Sequence, residues 1–215
     1  MHATTLVTSA PASGEVDSRA AYVSFGLAYV FGHGAAALSK GTDPVLAMPG
    51  WLPMALLAAG LVAGTAYSIG AATRAQRGLG KAELLSARLV GSAWITGFVA
   101  LFLAITGLTG AFDKPELQAV LWPAGSTLVV GLIYLAEGSV RRNTLHYGLG
   151  TWLTLVGGAS LLFSTPGLFW VLTVAGGGAY AVATILERRR LSCDGPGLQY
   201  RTDSAPAQSF MDANL

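Results

Sequence analysis

Residues 144–186 read TLHYGLGTWLTLVGGASLLFSTPGLFWVLTVAGGGAYAVATIL, without a single Asp, Glu, Lys or Arg. As one helix this stretch would measure roughly 65 Å at ~1.5 Å per residue, about twice the ~30 Å hydrocarbon layer of a bilayer. Pro166 and Gly167 supply the break: Pro cannot continue a helix and Gly tolerates a sharp turn. The stretch therefore reads as two crossings, 144–163 and 167–186, joined by a hairpin at Ser164, Thr165 and Pro166.

Four more blocks free of charge precede it, at 20–38, 51–72, 89–108 and 117–136. Each is about the length a helix needs to span the hydrocarbon. A transmembrane β-strand would be about half as long and would alternate in polarity, so a barrel does not fit. The whole chain is 53% hydrophobic and 11% charged, against about 25% charged in soluble domains. These observations predict an all-α polytopic membrane protein, a bundle of six transmembrane helices over 20–186. Residues 1–19 and 187–215 are polar and are expected to be disordered tails. A rival reading makes the first block a signal peptide ending at Ala35-Ala36-Ala37. Glu15 and Asp17 outweigh Arg19 ahead of that block, the wrong balance for such a leader.

Lys and Arg set the expected orientation. With six crossings, eleven of them fall on the side of the two termini and of the loops after the second and fourth helices. Lys40 and Lys114 alone fall on the other side. The positive-inside rule then places both termini in the cytoplasm of a bacterial inner membrane. Trp51, Trp122 and Trp170 stand near the outer start of the even-numbered helices, where Trp prefers the interface. Each of those helices opens on a Pro/Trp/Gly cluster and closes on Arg residues. That is compatible with three stacked helical hairpins. It is equally what any positive-inside hairpin looks like, and this plainer reading is preferred.

No segment carries a catalytic, cofactor or metal signature: there is no Walker A motif, no GxGxxG and no HExxH. Cys193 is the lone cysteine, which excludes an internal disulfide; it reads as a reduced tail thiol, with acylation conceivable. No basic stripe is long enough to follow a nucleic acid backbone. The expected partner is the lipid bilayer, with other membrane proteins or a second copy as further candidates. Gly60-Leu-Val-Ala-Gly64 is a GxxxG, readable as a homodimer contact or as packing within the bundle. Ala175, Ala179 and Ala183 form a similar small-residue stripe.

Two polar features stand out as candidate sites. The first is a cluster at the Arg-rich membrane edge: Glu137, Arg141, Arg142 and His146, with Glu83 and Arg88 at the start of the third helix. Glu137 and Arg141 are four apart and can pair on a helix. Such a cluster suits proton coupling or an anionic head group, or simply an ion pair that fixes helix depth. The second is His33, isolated inside the first helix and flanked by Gly32 and Gly34, which reads as a hydrogen-bonded structural histidine. A serine dyad fails on distance, since Ser160 lies about 21 Å along the axis from His146. Ser126 is at the wrong depth for His146, and only its depth would pair it with His33.

The runs GWLPMALLAAGLVAGTAYSIGAATRAQRG (50–78) and LWPAGSTLVVGLIYLAEGSVRRNTLHYGLGTWL (121–153) resemble small, functionally uncharacterised polytopic membrane proteins of actinobacteria. Some of these carry a loose permease-like label. The resemblance implies a membrane location and assigns no residue a role. The leading expectation is a small transport-related component or membrane-complex subunit. The alternatives are a regulator signalling through its Arg-rich loops and an intramembrane enzyme.

Overall fold

The computed structural model describes residues 16–77 and 79–193, and the side chain of Cys193 is not among the described features. The parts of the expected tails at 1–15 and 194–215 lie outside the described residues. Among the described residues the chain is all-helical, without strands.

Six helices follow in order. α1 is Arg19–Ser39, with a π-helical turn at Ala28–His33. α2 is Leu52–Ala75 and α3 is Lys81–Ala111. A 3-10 turn, Pro115–Leu117, leads into α4, Gln118–Val140. α5 is Thr144–Ser160. α6 runs through Gly167–Val171, a π-turn at Leu172–Gly176 and Gly177–Cys193. Five of these, all but α5, are long and apolar enough to cross a membrane. α5 has 17 residues, roughly 26 Å at ~1.5 Å per residue, just short of the ~30 Å layer. It ends at Ser160, three residues before the expected boundary, in turns that lead to Pro166.

Three boundaries correct the expectations. α3 starts at Lys81 rather than 89, because Glu83 caps it: its carboxylate accepts the Gly80 N–H at 3.0 Å. α4 extends to Val140, which places Glu137 inside the helix rather than after it. α6 continues to Cys193, so residues 187–193 are helix and not tail. In each case a charged residue ended the apolar window without ending the helix, since Glu, Arg and Lys are good helix formers.

The helices are not equally packed. α4 and α5 form the tightest pair; α5 also packs on α6, α6 on α1, and α1 on α2, while α3 leans on α4. The core gathers aromatic and aliphatic side chains from α1, α4, α5 and α6, with Tyr22, Leu153, Leu168, Leu172 and Tyr180 almost wholly enclosed. Gly60 and Gly64 pack against Ala28 and Phe25 of α1 in the same chain. The GxxxG face of α2 is thus used internally and is not open to a second copy.

Candidate functional site

His146 sits one turn into α5, held there by local capping. The Asn143 side chain accepts the His146 backbone N–H at 3.0 Å, an N-cap that fixes where α5 begins. The imidazole turns inward and is 9% exposed. Its Nε2 meets Glu137 Oε2 of α4 at 3.0 Å. Its Nδ1 meets the Tyr22 hydroxyl of α1 at 2.6 Å. The other Glu137 oxygen accepts the Trp94 indole N–H of α3 at 3.3 Å. The Tyr134 ring lies 4.2 Å from the imidazole, centroid to centroid. One string, Trp94–Glu137–His146–Tyr22, therefore joins α3, α4, α5 and α1.

The hydrogen-bond inventory of these groups allows two arrangements. An ionised carboxylate only accepts, so Nε2–H donates to Glu137 and Nδ1 of neutral His146 accepts the Tyr22 O–H. If Glu137 carries the proton, it donates to Nε2, and Nδ1–H donates to the Tyr22 oxygen. The same heavy-atom geometry serves both. The two arrangements differ by one proton, carried on the glutamate, and by the tautomer of the imidazole, with no helix moving.

The cluster expected from the sequence is thus half assembled. Glu137 and His146 come together, but Arg141 is not the ion-pair partner of Glu137: it caps the end of α4 and is exposed. Arg142 sits in the turn with φ of 53° and is exposed. Glu83 is spent on the start of α3, and Arg88 is exposed on that helix. The carboxylate of Glu137 selects the imidazole because His146 faces the core across the tight α4–α5 contact, whereas the arginines lie beyond the helix end.

Glu187 is a second buried carboxylate that sequence reading assigned to a tail. It is fully enclosed and is gripped by Arg190 through two bonds of 2.9 Å. It also accepts the Ser18 backbone N–H at 3.3 Å, and Arg190 reaches the Val16 carbonyl at 3.3 Å. The end of α6 thereby pins the start of α1. Just outside α1, the Arg19 guanidinium beside Asp17 holds that carboxyl below its usual range. The signal for the Glu187 clamp was its i,i+3 spacing from Arg190, masked by the adjacent run of arginines.

His33 is buried in the π-turn of α1, and its neighbours are rings. Tyr29 meets it edge-on at 5.0 Å and Phe169 stacks at 6.2 Å. Among the described residues no hydrogen bond reaches its ring, which corrects the expectation of a hydrogen-bonded structural histidine. The π-turns of α1 and α6 face each other. Gly176 of α6 admits the Tyr29 ring, whose hydroxyl bonds Thr127 of α4 at 2.8 Å. Tyr29 and Tyr22 flank Tyr180 at 5.3 and 6.3 Å, so aromatic rings link the His33 level to the His146 level.

Ser160 bonds back to the Gly157 carbonyl at 2.8 Å and is not presented to a base. Among the described residues there is no group of three or more His, Cys, Asp or Glu placed to hold a metal ion. Comparison with known proteins found no matching family model, no matching curated protein and no matching solved structure.

Proposed function

We propose that the chain is a multi-pass protein of the bacterial cytoplasmic membrane, with six crossings, three hairpins and both termini inside, acting as a small transport-related component. The observation that carries this reading is the string Glu137–His146–Tyr22, half-buried at Glu137 and buried at His146 and Tyr22. Ionisable groups inside a membrane protein are costly and mark proton relays or ion paths more often than scaffolding. Here the string crosses three helices, and it takes up a proton at Glu137 with no more than a change of imidazole tautomer. Gain and loss of that proton is the event that would couple the string to transport.

The test is proton flux in proteoliposomes loaded with a pH-sensitive dye. The parent protein collapses an imposed pH gradient several-fold faster than Glu137→Gln or His146→Ala, with all three inserted to the same extent. Flux no faster than in empty vesicles removes the transport reading. Reporter fusions at residues 42 and 195 should read outside and cytoplasm; a cytoplasmic reading at 42 removes the six-crossing topology.

A second reading, a subunit of a membrane complex, is favoured by α2 and α3. Only 11% and 6% of their most apolar windows are buried, against 61% in α1. Those faces suit neighbouring helices as well as lipid. Affinity purification in mild detergent that returns a stoichiometric membrane partner supports the subunit reading; recovery of the chain alone removes it.

A further inference from the structure

A groove of about 920 Å³ runs between α5 and α6. Its wall is apolar: Leu145, Leu149, Val182 and Leu186 line it. Trp152 closes it at one end, with its indole N–H donated to the Ala175 carbonyl at 2.9 Å, beside the π-turn of α6. Arg189 and Arg190 stand at the other end. From Val174 to Leu186 the groove follows α6 for roughly 18 Å at ~1.5 Å per residue. One leaflet of hydrocarbon is about 15 Å, half of the ~30 Å core. The groove is therefore one leaflet deep, apolar along that depth and cationic where the head groups begin.

Two glycines face each other across it. Gly148 of α5 and Gly178 of α6 are exposed, and a Cβ built on either meets nothing within 4 Å. Other glycines of these helices, such as Gly150 and Gly157, are required by a neighbouring backbone. Among the described residues nothing requires Gly148 or Gly178, although each costs the helix about 1 kcal/mol relative to Ala. They keep the groove open.

We infer that this groove is a binding site for one anionic phospholipid. An acyl chain lies between α5 and α6 over Gly148 and Gly178, and the phosphate sits against Arg189. Arg190, paired with Glu187, stands at the same edge. Charge complementarity selects the occupant: an apolar slot alone accepts any acyl chain, but a slot ending on an exposed guanidinium favours a head group of net negative charge.

Native mass spectrometry of the full chain, released from detergent micelles carrying equal amounts of dioleoylphosphatidylglycerol and dioleoylphosphatidylcholine, tests the site. The parent retains one phosphatidylglycerol per chain, several-fold in excess over phosphatidylcholine. Arg189→Gln brings the two lipids to parity. Gly178→Leu, or Gly148→Leu should the first variant be unstable, loses the retained lipid while keeping its helical circular dichroism and melting temperature. Equal retention of both lipids by the parent overturns the site. So does retention at the parent's level and preference in Arg189→Gln, or at the parent's level in a folded leucine variant.

Discussion

α4 and α5 are held together by backbone, whereas α3 meets α4 through side chains, with Gly97 facing Val129 and Ile133 and Gly125 facing Leu101. In α4, Gly131 and Gly138 are seven residues apart, and in α5 so are Gly150 and Gly157. A Cβ on any of the four would collide with backbone atoms of the facing helix: Thr154, Tyr147, Leu135 and Leu128 in turn. Spacing of seven keeps a glycine on the shared face at every second turn, so the two helices approach along their length. On α3, by contrast, Gly91, Gly107 and Gly110 face open space. Lipid offers no hydrophobic drive between helices, so close backbone contact and buried polar pairs decide which helices cohere. The Glu137–His146 contact lies across this tight pair, and the Tyr29–Thr127 bond ties α1 to it.

Substitutions can break this contrast or sharpen it. The largest effect is expected for Gly150→Ala, whose new methyl has nowhere to go except into the backbone around Leu135. Overpacking costs about 1–3 kcal/mol when side chains yield, and more when backbones must separate, so a loss of about 3 kcal/mol or more is expected. Unfolding by a denaturing detergent would measure it. An unchanged midpoint would mean that α4 and α5 are free to slide apart.

Next comes Glu187→Ala, which removes the carboxylate that Arg190 grips at the end of α6. Breaking a fully buried pair costs about 3–5 kcal/mol; with Arg190 30% exposed, about 2 kcal/mol is expected. The same unfolding curve reports it, and proteolysis near Val16–Ser18 should accelerate in parallel. If stability falls but that segment stays protected, the clamp does not pin the start of α1.

Trp94→Phe removes the one side-chain hydrogen bond that, among the described residues, ties α3 to another helix. A loss of about 1 kcal/mol is expected, the usual net worth of such a bond. The effect should vanish in a Glu137→Ala background if the indole acts only through that carboxylate. Smallest is Gly107→Ala in α3, expected to be neutral or to stabilise by up to about 1 kcal/mol through helix propensity. A clear destabilisation, read by the same assay in a lipid bilayer, would show that this face of α3 is covered by another chain.

How much of this was legible beforehand depends on how local the cause is. The uncharged windows located α1, α2, α4 and the start of α6 to within a few residues, because hydrophobic length is a property of contiguous sequence. The hairpin at 164–166 was readable from Pro166 and Gly167 for the same reason. The ends of α3 and α6 were misjudged because a charge stops an apolar window without stopping a helix. Glu137 and His146 were both singled out, but the i,i+4 rule paired Glu137 with Arg141, its neighbour along the helix, and not with His146 across the α4–α5 contact. Tyr22, Trp94 and Glu187 were passed over: two aromatics among many, and an acid beside three arginines.

The sequence by itself determined that this chain is helical and membrane-embedded, since apolar stretches of that length have no other stable state in lipid. It also determined where its charges cluster and where its chain turns. Which helices touch was decided only in the tertiary structure. Glycine is abundant in every helix, and only the packed bundle shows that Gly131, Gly138, Gly150 and Gly157 bear on backbone while Gly148 and Gly178 stay open. The partner of Glu137 was decided the same way. A buried carboxylate takes whichever donor the fold places within about 3 Å, and that donor stands on another helix, fixed by contacts that no local pattern encodes.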